Sequence, residues 1–324
     1  MRPISPLAIG IVACLAAALH GGEARAQSYP AKPLRVVIGL APGGATDIVA
    51  RTVAPALSAE LGQPVVIDNR PGAAGSIGAA LVAKAPPDGY TLFIASSSFT
   101  VNAVLQQNNG FDPLRDFEPI TNIASGPFLL VASPRLPVAS MQELIALAKA
   151  QPGKLNYASS GVGSTAHLSG EYLKRTAGID ITHVTYRGAG PALADVLGGQ
   201  VDLMFASIVS SLPHAKSGKL KALGVTSARR TSVAPELPTL AEAGVSGFEV
   251  IGYFGFLAPA RTPPAIVARL NSAMAAAVRR PEIVERLAAD GTEPDGGPPE
   301  ALRVLLEADL KKTADLIRAA NIKQ

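Results

Sequence analysis

The sequence predicts an α/β protein of two doubly wound lobes that face each other across a ligand crevice. β-branched runs recur about 28 residues apart with helix-like segments between them, the pattern of right-handed βαβ units on a parallel sheet. A second set of such units begins after residues 117–133. The chain has 324 residues, which suits two domains of about 100–200 residues each.

The first strand is Leu34-Arg-Val-Val-Ile-Gly-Leu40, closed by the turn Pro42-Gly-Gly44. Residues 47–61 then place Val49, Val53 and Leu57 on one helical face, and Gly62-Gln-Pro64 stops that helix. Val65-Val-Ile67 reads as the second strand. A Gly-rich loop at 70–75 precedes a helix through Ala83, and Tyr90-Thr-Leu-Phe-Ile94 is the third strand. In the second set, helices at 141–150, 164–177 and 190–197 alternate with strands at 155–158, 181–186, 201–205 and 220–226. Two amphipathic helices end the chain. Ile266, Val267, Leu270, Met274 and Val278 form the stripe of one; Leu302, Leu305, Leu306, Leu310 and Ile317 form that of the other.

Composition narrows the function. Aromatic residues are 5% of the chain and Trp is absent, which argues against stacking a sugar ring or a nucleobase. The net charge is +4 and the basic clusters are short, as at Arg229-Arg230 and Lys311-Lys312, so the basic residues read as a solvated surface and not a nucleic-acid footprint. At the N-terminus, Arg2, an apolar run over 7–19 and Ala24-Arg25-Ala26 have the order of a secretory signal peptide, residues 1–26, cleaved before Gln27. A rival reading takes Ile11-Val-Ala-Cys14 as a lipobox with Cys14 lipid-anchored; the apolar run continuing past Cys14 favours export to the periplasm without an anchor. Cys14 is the single cysteine, so a cleaved chain has no disulfide, thiolate or Cys-based metal chemistry.

Doubly wound lobes bind ligands outside the carboxyl ends of their strands. The candidate loops sit there. In Gly43, Gly44, Ala45, Thr46 and Asp47, paired glycines let backbone N–H groups approach a ligand, and Thr46 or Asp47 can cap the next helix, whose start attracts anions. Opposite it lies Ser159, Ser160, Gly161, Gly163 and Ser164, with His167 a turn further on. Asn69 beside Arg70, Ser97 and Ser98 after the third strand, and Tyr186 before Arg187-Gly188 are further cleft candidates. Asp202 ends Gly198-Gly-Gln-Val-Asp202 and reads as a turn or hinge residue, kept within the candidate set. Residues 161–166 formally match a relaxed dinucleotide fingerprint with Asp180 beyond, but the loop lies deep in the chain and is rich in serine, so the match carries little. There is no G-x-S-x-G elbow, and His167, His183 and His214 have no metal spacing.

Taken in order, these loops resemble the substrate-binding receptors of tripartite tricarboxylate transporters, the Bug family. The resemblance rests on Tyr29-Pro-Ala-Lys-Pro33, Pro42-Gly-Gly-Ala-Thr-Asp47, Asn69-Arg-Pro-Gly72, Pro87-Asp-Gly-Tyr-Thr91 and Pro152-Gly-Lys154. It continues through Ser159-Ser-Gly161, Tyr186-Arg-Gly188, Gly198-Gly-Gln-Val-Asp202 and Pro238-Thr-Leu-Ala-Glu-Ala-Gly244. It implies a two-lobed type II periplasmic-binding-protein fold, with lobe 1 at 27–126 and 246–324, lobe 2 at 127–245, and crossing strands between. It also implies a monomeric receptor that captures a small carboxylate without a cofactor and hands it to membrane permease subunits. Two departures stand out: Tyr253 occupies the place of the family's usual Trp, and Ala45 that of a common Gly. An exported α/β enzyme acting on carboxylates, or a sensor module for a histidine kinase, are the alternative functions; a nucleophile–base pair in the cleft would favour the enzyme.

Overall fold

Strand β1 (Leu34–Ile38) buries both its faces, as a branched run inside a parallel sheet does. The computed structural model describes residues 29–106 and 109–320; the expected leader at 1–26, with Cys14, lies outside the described residues. Helix α1 (Ala45–Leu61) follows and ends at Gly62, whose φ of 68° gives the left-handed stop that the Gly-Gln-Pro signal predicts. Then come β2 (Val65–Asn69), a 3-10 turn (Ala73–Gly75), α2 (Ser76–Ala83) and β3 (Thr91–Ser96). β1 pairs in parallel with β2 on one side and β3 on the other. The serine loop expected at 96–98 is instead a helix start: α3 (Ser97–Leu105) leaves β3 without a gap.

Strand β4 (Phe117–Ala132) is 16 residues long. It leads into α4 (Met141–Ala150), β5 (Asn156–Ser159), α5 (Thr165–Ala177), β6 (Thr182–Thr185), α6 (Ala189–Leu197), β7 (Leu203–Ser207), α7 (Ile208–Lys216) and β8 (Lys221–Val225). The chain returns through β9 (Ile251–Pro259), α8 (Pro264–Val278), α9 (Pro281–Ala289), β10 (Glu293–Pro294) and α10 (Pro299–Ala320). The sheet order is β2-β1-β3-β9-β4-β7-β5-β6. Residues 117–127 of β4 pair antiparallel with β9, whereas Phe128 to Ala132 pair with β7. One strand thus serves both lobes. Pro119, Gly126 and Pro127 hide it in the sequence; register shifts beside Pro119 and between Asn122 and Ala124 bend it and absorb the lost pairing.

Packing fixes the strand ends that matter. A single core runs from Val36 and Leu57 of the first lobe to Ile208 and Leu212 of the second. Beneath α3, Phe93, Phe99, Phe111 and Phe117 cluster, with Phe99 and Phe111 stacked at 5.0 Å. Tyr157 and Phe205 anchor the second lobe, and Phe248 packs with them although it lies just past the expected lobe boundary at 245. No helix among the described residues is long and apolar enough to cross a membrane.

Candidate functional site

Helices that follow parallel strands all start at one edge of the sheet, so the starts from two facing lobes converge. Here Gly44, Ala45, Thr46 and Asp47 of α1, Ser97 and Ser98 of α3, Ala189 of α6 and Ser207 before α7 line one cavity of about 60 Å³. Phe128, Met204, Phe205 and Phe254 give it an apolar floor. The N-caps Gly44, Ser96, Gly188 and Ser207 make no side-chain cap hydrogen bond. The amides of these first turns therefore keep their donors uncapped, and each helix start carries about half a positive charge. By contrast α5, beside the cavity, is capped by its own Ser164, whose Oγ accepts from His167 N at 3.2 Å.

The cavity has no lining cation among the described residues, and its one charged lining residue is Asp47. That carboxylate accepts from Gly43 N at 3.1 Å and from Arg51 Nε at 3.0 Å. Burial pushes its pKa up, but the bonds from Arg51 and Gly43 outweigh burial and hold it below the usual carboxylate range. Asp47 is thus an ionised strut within the first loop. Four dipole ends facing a small pocket suit an anion held by main-chain and hydroxyl donors.

The lobes touch around this cavity. Thr165 Oγ1 donates to Ser97 Oγ at 2.9 Å, and Thr165 N donates to Ser98 Oγ at 3.3 Å. Backbone meets backbone on the other flank: a Cβ added to Gly188 would lie 2.6 Å from Ala41 Cβ, and one added to Gly190 would lie 2.9 Å from the Pro42 carbonyl oxygen. Glycine at these two positions lets the second lobe come down onto the first.

The structure brings Gly44, Ala45, Thr46, Asp47, Ser97, Ser98 and Ser160 together at the cavity wall. The other candidates lie elsewhere. Gly43 turns the loop at φ 78° and gives its N–H to Asp47. Neither Thr46 nor Asp47 caps α1; Gly44 holds that position. Asn69 braces the loop from behind, donating to Leu40 O at 3.1 Å and accepting from Arg51 at 3.0 Å. Gly161 packs on Ala74 and Gly163 on Asn102, both as lobe-to-lobe contacts. Tyr186 spends its hydroxyl on Asp195 Oδ2 at 2.6 Å. Asp202 sits at the opposite end of β7, where its Oδ2 accepts from Asn156 N at 2.9 Å, so it is a local clamp outside the cavity.

Ser159 and His167 belong to a buried cluster behind the wall. Ser159 Oγ lies 2.6 Å from His183 Nε2, and the His183 ring stacks on His167 at 4.4 Å and on Tyr157 at 5.0 Å. A hydroxyl–imidazole pair is the motif of nucleophilic catalysis, but Ser159 is fully buried and also bonded to Gly161. Burial first, and His167 second, push the His183 pKa down to about 4; burial also lowers that of His167. Both rings are neutral packing groups. Among the described residues, no group of three or more His, Cys, Asp or Glu could hold a metal ion.

Sequence reasoning missed Ser207 and the strand residues Gly252 and Phe254 that line the cavity, whereas Ala189 lies in the expected cleft loop at 186–190 and Tyr253 stands at the wall position that the resemblance implies. Phe205-Ala-Ser207 before an apolar helical stretch was the available signal for Ser207. Nothing local marks Gly252 and Phe254, because they reach the site through the crossing of β9 and β4.

Comparison with known proteins agrees with this geometry. The family model described as tripartite tricarboxylate transporter family receptor matches residues 49–322. The solved periplasmic binding protein BugD is 35% identical, with a TM-score of 0.88 over 91% of this chain and 99% of its own. An R. palustris protein solved with adipate is 38% identical, with a TM-score of 0.88 over 91% and 99%. MatC from Rhodopseudomonas palustris, solved with bound malate, is 34% identical, with a TM-score of 0.86 over 89% and 100%. The fold is therefore the two-lobed fold of periplasmic binding proteins.

Proposed function

The chain belongs to the tripartite tricarboxylate transporter receptor family, and from that premise we propose that it closes its lobes on a small carboxylate at the convergent starts of α1, α3, α6 and α7. As a family member it is a solute-binding receptor and not an enzyme. The observation that carries the ligand class is the set of four uncapped helix starts around a cavity with no lining cation among the described residues. Amides and hydroxyls suit a carboxylate, whose oxygens each accept more than one hydrogen bond. The relatives solved with adipate and malate support the same class.

In this reading, residues 27–126 with 246–324 form one jaw, and 127–245 the other. Export follows cleavage after Ala26, and the closed monomer delivers its ligand to membrane permease subunits. Gly44, Ala45, Thr46, Ser97, Ser98 and Ser160 make the direct contacts; Asp47 and Asn69 hold the first loop in shape.

A thermal-shift screen of the mature protein against mono-, di- and tricarboxylates tests the ligand class. An acid at 100 times its Kd should add about 2.7 kcal/mol of stability. A flat response across carboxylates, with a shift from sugars or cations, would overturn it.

A further inference from the structure

A second, larger cavity of about 240 Å³ adjoins the cleft. Ser97 and Tyr253 line both spaces. Its walls come from α3, α5, β9 and the middle of α10, and are largely apolar: Val101, Leu168, Ile251, Leu305 and Leu316. The sizes of the two spaces differ in a way that matters. The cleft, at about two water volumes, admits one small charged group, whereas 240 Å³ exceeds the roughly 150 Å³ that holds a benzene ring.

Charge in the second space comes from side chains and not from helix starts. Asp309 lines it, with Oδ2 accepting from Thr100 Oγ1, and Thr100 Oγ1 also lies 3.3 Å from the Tyr253 hydroxyl. At the mouth, Lys312 is 3.8 Å from Glu249, so among the described residues the lining lysine already has a carboxylate partner, and burial raises the Asp309 pKa in a space with no other lining cation. A second carboxylate would be unwelcome; an apolar chain or ring, or a hydrogen-bond donor, would not.

We propose that this cavity is the body compartment of the binding site, so that the preferred ligand is a monocarboxylic acid with an apolar chain or ring. Its carboxylate sits at the helix starts and its body passes Tyr253 toward Asp309. The inference rests on the carboxylate reading above and adds to it a size and charge preference.

The test is calorimetric titration of the mature protein with straight-chain monoacids from acetate to octanoate and with the diacids of matching length. Affinity should rise roughly three- to four-fold per methylene until the cavity is full, and each monoacid should bind at least ten-fold tighter than its diacid. Ala308 lines the cavity at an exposed helical position, so Ala308→Phe fills the space with little risk to folding. In that variant the length dependence should level off, octanoate binding no better than butyrate. Acids that bind with no dependence on length, a length dependence that survives Ala308→Phe, or a preference for diacids would overturn the compartment while leaving the carboxylate reading standing. If no acid of any length binds, both fall together.

Discussion

Thr165 Oγ1 of α5 donates to Ser97 Oγ of α3 across the cleft at 2.9 Å, joining helix starts from opposite lobes directly beside the cavity. Thr165 also meets Ser98 through its backbone N–H. The bond exists only when the lobes are together, so its energy belongs to closure and not to the stability of either lobe. Thr165→Val keeps the shape and removes the hydroxyl. A net hydrogen bond is worth about 0.5–1.5 kcal/mol, so carboxylate affinity should fall roughly two- to twelve-fold by calorimetry while the unliganded melting temperature stays put. A drop in unliganded stability with unchanged affinity would refute this placement of the bond.

Gly190 separates local from global effects even more sharply. It lies in the first turn of α6, where alanine is the better helix former by about 1 kcal/mol. Its added Cβ would nevertheless lie 2.9 Å from the Pro42 carbonyl oxygen of the other lobe. Gly190→Ala should therefore stabilise the unliganded protein slightly, lower ligand affinity at least about ten-fold, and give a larger radius of gyration in solution scattering with ligand present. An affinity equal to wild type would show that the lobes need not approach this closely.

The stacked pair His167 and His183 sets a pH dependence of stability. Burial holds the His183 pKa at about 4 in the folded protein, against an unfolded value of about 6.5. The unfolded chain thus binds the proton first as pH falls, and the native state loses ground. The contribution is complete above about pH 6.5 and is lost progressively between there and pH 4. Allowing for the partial exposure of the ring, the loss should be about 1–2 kcal/mol. Urea titrations at stepped pH should show the slope in wild type and flatten it in His183→Gln. An equal slope in both would place the titrating group elsewhere.

Arg51 tests the strut beneath the site. Its side chain is 53% exposed, so its ion pair with Asp47 should be worth less than about 1 kcal/mol to folding. It is, however, the cation that offsets Asp47 at the cavity wall. Arg51→Met should leave the melting temperature nearly unchanged and weaken carboxylate binding by about five-fold at low salt, with the difference shrinking as salt rises. Equal affinities at low salt would mean that the Asp47 charge does not reach the ligand.

Most of the βαβ alternation was readable because each strand is a short branched run bounded by glycine or proline, as at Leu34–Ile38 before Pro42-Gly-Gly44. The first-lobe half of the site was readable for the same reason: paired glycines after a strand mark a helix start. β4 was not, because Pro119 and Pro127 break the usual strand pattern and only tertiary bends accommodate them. α3 and α7 were missed because serines at 96–98 and 207–211 suit a loop as well as a helix start. The serine segment at 159–164 illustrates a different limit. Its residue types suited a ligand, but Ser164 serves its own helix and Ser159 serves His183. Sequence names the donors; only packing shows which ones are already taken.

A crystal structure of the mature protein with a bound acid tests the central claim most directly. The account predicts one carboxylate with its oxygens about 2.7–3.1 Å from first-turn N–H groups and serine hydroxyls of α1, α3, α6 and α7. A carboxylate held instead by an arginine or lysine side chain, with those helix starts facing only solvent, would contradict it.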